Sequence, residues 1–194
     1  MSGNDCGQQK LLRPILIAIA GLIILIVIVI VVIWAILQPK KPRFILHDVT
    51  IYNFTTSAGP PCTLTSNIHV TISSDNPNYL IGIYYRELDV YATSRKQQIT
   101  ATTLLNGTYQ GRYETVMWSS FLVGSAVPIP PYFHKDLNRE LYSSTPVLID
   151  VQIDGRIRWK VGSWISGDYH LHVYCQAFIL LPKFKGFQHC DVET

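Results

Sequence analysis

Two hydrophobic patterns divide the chain. From Ile15 to Leu37, 23 consecutive positions carry no charged or polar side chain, and 18 of them are Ile, Leu or Val. From Phe44 to about Cys190 the apolar positions recur every second residue, the signature of half-buried strands. Ile68, Val70 and Ile72 alternate with His69, Thr71 and Ser73, and Leu88, Val90 and Ala92 alternate with Glu87, Asp89 and Tyr91. Val147, Ile149, Val151 and Ile153 form a third series. Leu171, Val173, Cys175, Ala177 and Ile179 form a fourth. A helical period surfaces only weakly, around His134 to Leu141. Short alternating strands separated by turn signals predict a mainly β domain, an antiparallel β-sandwich.

The apolar run predicts a single N-terminal transmembrane helix. At about 1.5 Å per residue, 23 residues span roughly 35 Å, enough for a ~30 Å hydrocarbon core with some tilt. Trp34 stands near one end, where an indole sits at headgroup level. A cleaved signal peptide needs a shorter run followed by a small-x-small site, and Ala35-Ile36-Leu37-Gln38-Pro39-Lys40 offers none. The expected organisation is a disordered cytosolic tail at 1–14, a membrane helix at 15–37, a Pro/Lys stalk at 38–43 and the β domain at 44–194. The lipid bilayer is the first partner this implies.

Two local expectations concern turns. Asp154-Gly155 invites a hairpin, and matching Ile153 with Ile157, Trp159 and Val161 on one face predicts an odd loop, Asp154-Gly155-Arg156. Val127-Pro128-Ile129-Pro130-Pro131-Tyr132 contains three residues without an N–H donor and is expected as an extended edge or linker.

Charge separates the same regions. The chain's net charge is +3, yet from Phe44 onward 11 Lys and Arg face 12 Asp and Glu. The excess sits in Lys10, Arg13, Lys40, Lys41 and Arg43, around the apolar run. A nucleic-acid binder carries its positive charge as a patch on the folded domain, so nucleic acid is not an expected partner. Flanking charge alone leaves orientation close to a tie. The sequons Asn53-Phe54-Thr55 and Asn106-Gly107-Thr108 both lie beyond the helix and place that side outside, with Asn53 and Asn106 as candidate glycosylation sites. Cys62, Cys175 and Cys190 share that side, where an oxidising compartment allows two of them to pair. Cys175 with Cys190 is the expected disulfide, worth about 3 kcal/mol on the loop-entropy model. Cys62 is then left over, or partners either one, or bridges to another chain. Cys6, eight residues before the membrane, is a candidate for acylation.

Three stretches carry a resemblance. Ser74-Asp75-Asn76-Pro77-Asn78-Tyr79-Leu80-Ile81-Gly82-Ile83-Tyr84-Tyr85 resembles the Asn-Pro-Asn segment of the late-embryogenesis-abundant type-2 (WHy-like) domain, and Thr108-Tyr109-Gln110-Gly111 resembles the Tyr-Gln-Gly segment that follows it. Asp154-Gly155-Arg156-Ile157-Arg158-Trp159-Lys160-Val161-Gly162, continuing through Tyr169 to Cys175, resembles the Gly-Arg-x-Arg-Trp-Lys-x-Gly block. With the anchor and the late Cys190, the chain is similar to plant harpin-induced-like, non-race-specific disease-resistance membrane proteins. The resemblance implies a single-pass plasma-membrane protein, amino end cytosolic, with a fibronectin III/immunoglobulin-like sandwich outside. It also implies roles in pathogen defence and abiotic stress. The residues themselves have plainer expected roles: turn chemistry for Asn76-Pro77-Asn78, core packing for Trp159, and a bend or bulge at Gly162 and Gly167 around Trp164.

Candidate chemistry is thin. His170 and His172 share a strand face, but third and fourth metal ligands are not supplied at usual spacing, so no metal and no cofactor are expected. No nucleophile elbow, His-Glu-x-x-His, phosphate loop or dinucleotide fingerprint occurs. Ser163 and Ser166 beside His170 read as turn residues, and Asp150 and Asp154 are expected at a strand end, facing outward. The expected function is therefore non-enzymatic: a membrane-anchored interaction module that binds one or more protein partners, as a homo- or hetero-oligomer, in defence and stress response. The alternative is a carrier domain for an apolar small molecule or lipid, held between the sheets. A third reading is a physical tether between membrane and wall.

Overall fold

The computed structural model describes residues 5–36, 38–57, 59–142, 145–180 and 183–194. Two units are present, 1–38 and 39–194. The first is one helix, α1 (Asp5–Ile36). Its stretch Arg13–Ile33 is long and apolar enough to cross a membrane. Aliphatic side chains are exposed all round it, from Ile15 to Ile33, as expected of a helix whose surroundings are hydrocarbon. The helix begins ahead of the apolar run, so residues 5–14, expected to be disordered, are helical and include Pro14. Extending an existing helix fixes one residue per added hydrogen bond, whereas starting one is costly, which is why the run carries its flank along. The side chains of Cys6 and Trp34, and all of Leu37, lie outside the described residues.

The second unit is built on long strands. Among the described residues, β1 (Arg43–Ser57), β2 (Thr63–Asp75), β7 (Thr115–Pro128) and β11 (Lys183–His189) form a sheet in the order β11-β1-β2-β7. The facing sheet runs β12-β10-β8-β3-β4, from β3 (Ile81–Ser94), β4 (Gln97–Gln98), β8 (Val147–Val161), β10 (Tyr169–Ile179) and β12 (Asp191–Glu193). Short β5 (Thr103–Leu105) and β6 (Thr108–Gln110) pair with β3, and β9 (Trp164–Ile165) pairs with β8. All pairings are antiparallel, giving the expected mainly β, sandwich-like domain.

The alternating residues meet between the sheets. Phe44, Leu46, Ile68 and Ile72 from one sheet and Ile83, Leu88, Ile149 and Ile153 from the other are each no more than 1% exposed. Fully burying such a side chain contributes roughly 1.5–3 kcal/mol. Phe44 stacks on Trp118, and the Tyr85 ring stands edge-on to both.

Two turn expectations are corrected. Asp154-Gly155-Arg156 is not a loop, because β8 runs straight through it and Gly155 pairs with Leu88 on one side and Leu171 on the other. Val147, Ile149, Val151 and Ile153 before Gly155 and Ile157, Trp159 and Val161 after it all carry odd numbers, so one uninterrupted strand already keeps them on one face. Gly155 fills the inward slot where β3 bulges between Tyr85 and Leu88, and a Cβ there would lie 2.3 Å from the Glu87 carbonyl oxygen. The true hairpin follows at Gly162-Ser163, where Gly162 has φ +58° and Val161 pairs with Trp164. The proline-rich segment is only half extended. β7 ends at the sheet edge with Pro128, and Pro131 opens helix α2 (Pro131–Tyr142). Proline suits the first helical turn, where its missing N–H has no partner to lose. Phe133 and Leu137, one turn apart, bury the inner face of α2, and Arg95 pairs with Asp136 and Glu140 on the outer one.

Candidate functional site

The three motif stretches split by direction. Their inward members make a buried polar scaffold. Asn76, fully buried, donates through Nδ2 to the carbonyls of Ile81 and Gly111, both at 2.8 Å, and its Oδ1 accepts from the backbone and side-chain N–H of Asn78. Gln110, also fully buried, donates to the carbonyls of Ser74 and Glu114 and accepts from the Tyr85 hydroxyl at 2.8 Å. Ser74 Oγ completes the set, 2.8 Å from the same hydroxyl. Burial pushes the Tyr85 phenol well above its ordinary range. Trp159 lies in the core as expected, and its N–H is taken by Ser166 Oγ at 2.9 Å.

Their outward members gather elsewhere, around one surface depression of about 270 Å³ lined by Leu80, Gly82, Tyr109, Arg112, Lys160 and Gly162. Antiparallel pairing places Gly82 opposite Lys160 and Tyr84 opposite Tyr109. The two tyrosine rings are 4.5 Å apart between centroids. Lys160 Nζ sits 5.5 Å from the Tyr84 centroid and 4.9 Å from that of Tyr109, and donates to the Tyr84 oxygen at 3.3 Å. Such cation–π contacts hold an ammonium in place without neutralising it. Gly82 is required here: a Cβ would fall 2.5 Å from the Tyr109 hydroxyl oxygen, so only glycine lets the ring lie against β3. Arg112 enters from the turn after β6. The nearby Glu114 carboxylate accepts from the Gly111 N–H. Among the described residues, neither Lys160 nor Arg112 has a carboxylate within ion-pair distance. The arrangement is a shallow cationic pocket with phenol walls and a glycine floor, suited to holding an anion.

Beside it, Asp168 clamps two arginines, Arg158 at 2.6 Å and Arg86 at 3.2 Å. The hydrogen bond from Arg158 holds the Asp168 carboxyl down at about 2, and the pairing raises Arg158 in turn. Farther along the same face, Tyr91 donates to Asp154, which also pairs with His172 Nδ1. Burial, reinforced by Asp154, pushes Tyr91 up to about 12.

The residues singled out in the sequence fall in separate places. His170 is exposed, His172 is committed to Asp154, and no group of three or more His, Cys, Asp or Glu able to hold a metal occurs among the described residues. Asp150 and Asp154 correct an expectation: Asp154 stands at the middle of β8 rather than at a strand end, and Asp150, four residues nearer its start, is only 5% exposed rather than facing outward. Thr93 and Gln176 flank it across the sheet, and its charge helps raise the neighbouring Tyr174 phenol, after burial. The Ser166 hydroxyl accepts from the Trp159 backbone N–H and donates to the Gly167 carbonyl, the local bonding of a turn residue. Asn53 on β1 and Asn106 in the β5–β6 turn are both exposed. Cys175 and Cys190 are disulfide-bonded, with Cα atoms 4.4 Å apart, where the chain leaves one sheet at β11 and joins the other at β12. Cys62 is a half-buried free thiol.

The pocket was missed in the sequence because Tyr84 and Lys160 are 76 positions apart. Its one local trace is that outward motif residues, Tyr84, Tyr109 and Lys160, are aromatic or cationic rather than small and polar.

This two-sheet domain is of the late embryogenesis abundant class: the family model described as "Late embryogenesis abundant protein" matches residues 71–177, and the chain belongs to that family, among its NDR1/HIN1-like members. It is 51% identical over 181 residues to NDR1/HIN1-like protein 1 of Arabidopsis thaliana, covering 91% of this chain and 86% of that one. To NDR1/HIN1-like protein 12 of the same plant it is 53% identical over 169 residues, covering 87% and 79%. The solution structure of a late embryogenesis abundant protein aligns at TM-score 0.37 and 16% identity, over 74% of this chain and 72% of that one.

Proposed function

We propose that the chain is a non-enzymatic, single-pass plasma-membrane protein whose β-sandwich lies outside the cell and acts as an interaction module in plant defence and abiotic stress response. The observation that carries this reading is the division of the motif residues. One set is consumed in a rigid internal scaffold, and the other presents phenols, and cations with no carboxylate in ion-pair distance among the described residues, around one pocket. A binding domain needs that combination of a rigid interior and an exposed set of ligand-facing groups. The apolar helix supplies the anchor, and the relatives' names supply the defence context. Exposed Asn53 and Asn106 are glycan acceptors under this topology. The amino-terminal segment, with Lys10 and Arg13, faces cytosolic partners and anionic lipid, and Cys6 is its acylation site.

The topology is tested by translating the full chain into microsomes, then applying protease and, separately, an endoglycosidase. Protection of the β unit together with a glycan shift lost in Asn53→Gln and Asn106→Gln supports the reading. Digestion of that unit without any shift overturns it.

A further inference from the structure

The pocket's lining specifies a kind of ligand. Lys160 and Arg112 supply positive charge with no internal counter-ion among the described residues. Lys160 donates to the Tyr84 oxygen, which leaves the Tyr84 hydroxyl proton free to point elsewhere. The floor is Gly82 and Gly162, and beyond its own chain neighbours nothing comes within 4 Å of where a Gly162 Cβ would be. Leu80 adds an apolar rim. A bare anion would use the cations and leave the flat floor, rim and ring edges idle. A ring that carries a carboxylate and several hydroxyls uses all of them. At about 270 Å³ the space lies just under the ~300 Å³ at which pockets begin to enclose drug-sized ligands, so it fits one such ring and not a larger body. Its open mouth lets the ring be a unit of a longer chain. An extended polyphosphate such as a nucleic acid is disfavoured, because the domain beyond the helix has 11 Lys and Arg against 12 Asp and Glu.

We infer that this pocket binds a uronic-acid unit of an acidic polysaccharide, its carboxylate held between Lys160 and Arg112 and its hydroxyls by the tyrosines. The inference deepens the interaction-module reading and rests on the extracellular placement proposed above. Its test is independent of that placement, because binding is read on purified protein of no fixed sidedness.

The test uses the full chain in nanodiscs of phosphatidylcholine alone, titrated calorimetrically with tri-galacturonate, its methyl ester and inorganic phosphate. The expected result is salt-sensitive binding of tri-galacturonate, with about tenfold or greater weakening for the methyl ester and for each of Lys160→Met and Arg112→Gln. Arg112 is exposed and Lys160 half-buried, and unchanged circular dichroism and melting show that the variants remain folded. Equal binding of the ester, undiminished binding by both folded variants, or no binding by the unsubstituted chain would overturn the inference. Phosphate that binds as tightly and competes would also overturn it, by showing a site for anions without regard to the sugar. A failure in any of these arms with glycosylated, protease-protected protein in microsomes condemns the ligand and leaves the topology standing.

Discussion

Asn78 and Lys40 are joined backbone to side chain in both directions: the Lys40 N–H donates to Asn78 Oδ1 at 2.8 Å, and Asn78 Nδ2 donates to the Lys40 carbonyl at 2.7 Å. The carboxamide thus acts as a strand partner one residue long. It seizes the stalk three residues before β1 begins at Arg43. Asn78 is 5% exposed and is itself held by Asn76, so the clasp belongs to the same buried polar scaffold as the Asn-Pro-Asn turn.

Replacing that carboxamide should release the stalk. Asn78→Ala is expected to lower stability by about 1–3 kcal/mol, because buried groups on Asn76 and Lys40 lose their partners. Trypsin should then cleave after Lys40 much faster than in the parent. Denaturant melts and timed digestion check both, and an unchanged cleavage rate would show that the clasp does not restrain the stalk.

Gly155 offers a steric test of the straight β8. Gly155→Ala forces a methyl group to 2.3 Å from the Glu87 carbonyl oxygen and 2.6 Å from Leu88 Cδ2, so a loss of about 1–3 kcal/mol is expected from overpacking. Were residues 154–156 a solvent loop, the same substitution would be nearly silent. Chemical denaturation of the two proteins separates these outcomes.

Stability should also fall at both ends of the pH scale, for opposite reasons. Asp168 has its carboxyl depressed to about 2, against roughly 3.9 in an unfolded chain. Its contribution is therefore present above about pH 4 and lost as pH falls toward 2. Tyr91, raised to about 12, and Tyr85, raised by burial, act in reverse. Their contribution is complete below about pH 10, where unfolded phenols begin to ionise, and is lost as pH rises through the folded values. Melting temperature against pH should show both slopes. Asp168→Asn should flatten the acid one, and Tyr85→Phe the alkaline one.

The bridge between Cys175 and Cys190 closes a short loop, with a sequence separation of 15. On the loop-entropy model its loss in Cys190→Ser costs about 3 kcal/mol. Reductant should lower the melting temperature of the parent and leave that variant unmoved. If Cys62 could replace either partner, the variant would retain sensitivity to reductant. β12 should lose amide protection on reduction, because this three-residue edge strand follows directly on Cys190 and, among the described residues, pairs with β10 alone.

Much of the architecture was legible as periodicity. A 23-residue apolar run dictates a helix with no polar face, and residues alternating over β2, β3, β8 and β10 dictate strands with one buried face, because both patterns follow from local geometry. Trp159 in the core and a β domain of two sheets follow from the same parity. Parity also contained the answer at Gly155, where Asp-Gly turn chemistry pointed the other way. Turn propensity is a preference of a few residues, and continuous cross-strand pairing on both sides of β8 outweighs it.

What only the tertiary structure decided is who meets whom. Asp150 is an outward-parity residue that neighbours on β3 and β10 nevertheless bury. The sharing of motif residues between scaffold and pocket depends on β3 lying between β6 and β8, a sheet order that no local pattern encodes. Tyr84, Tyr109 and Lys160 become a site only because antiparallel registers, set by core packing across the whole sandwich, bring three distant stretches side by side.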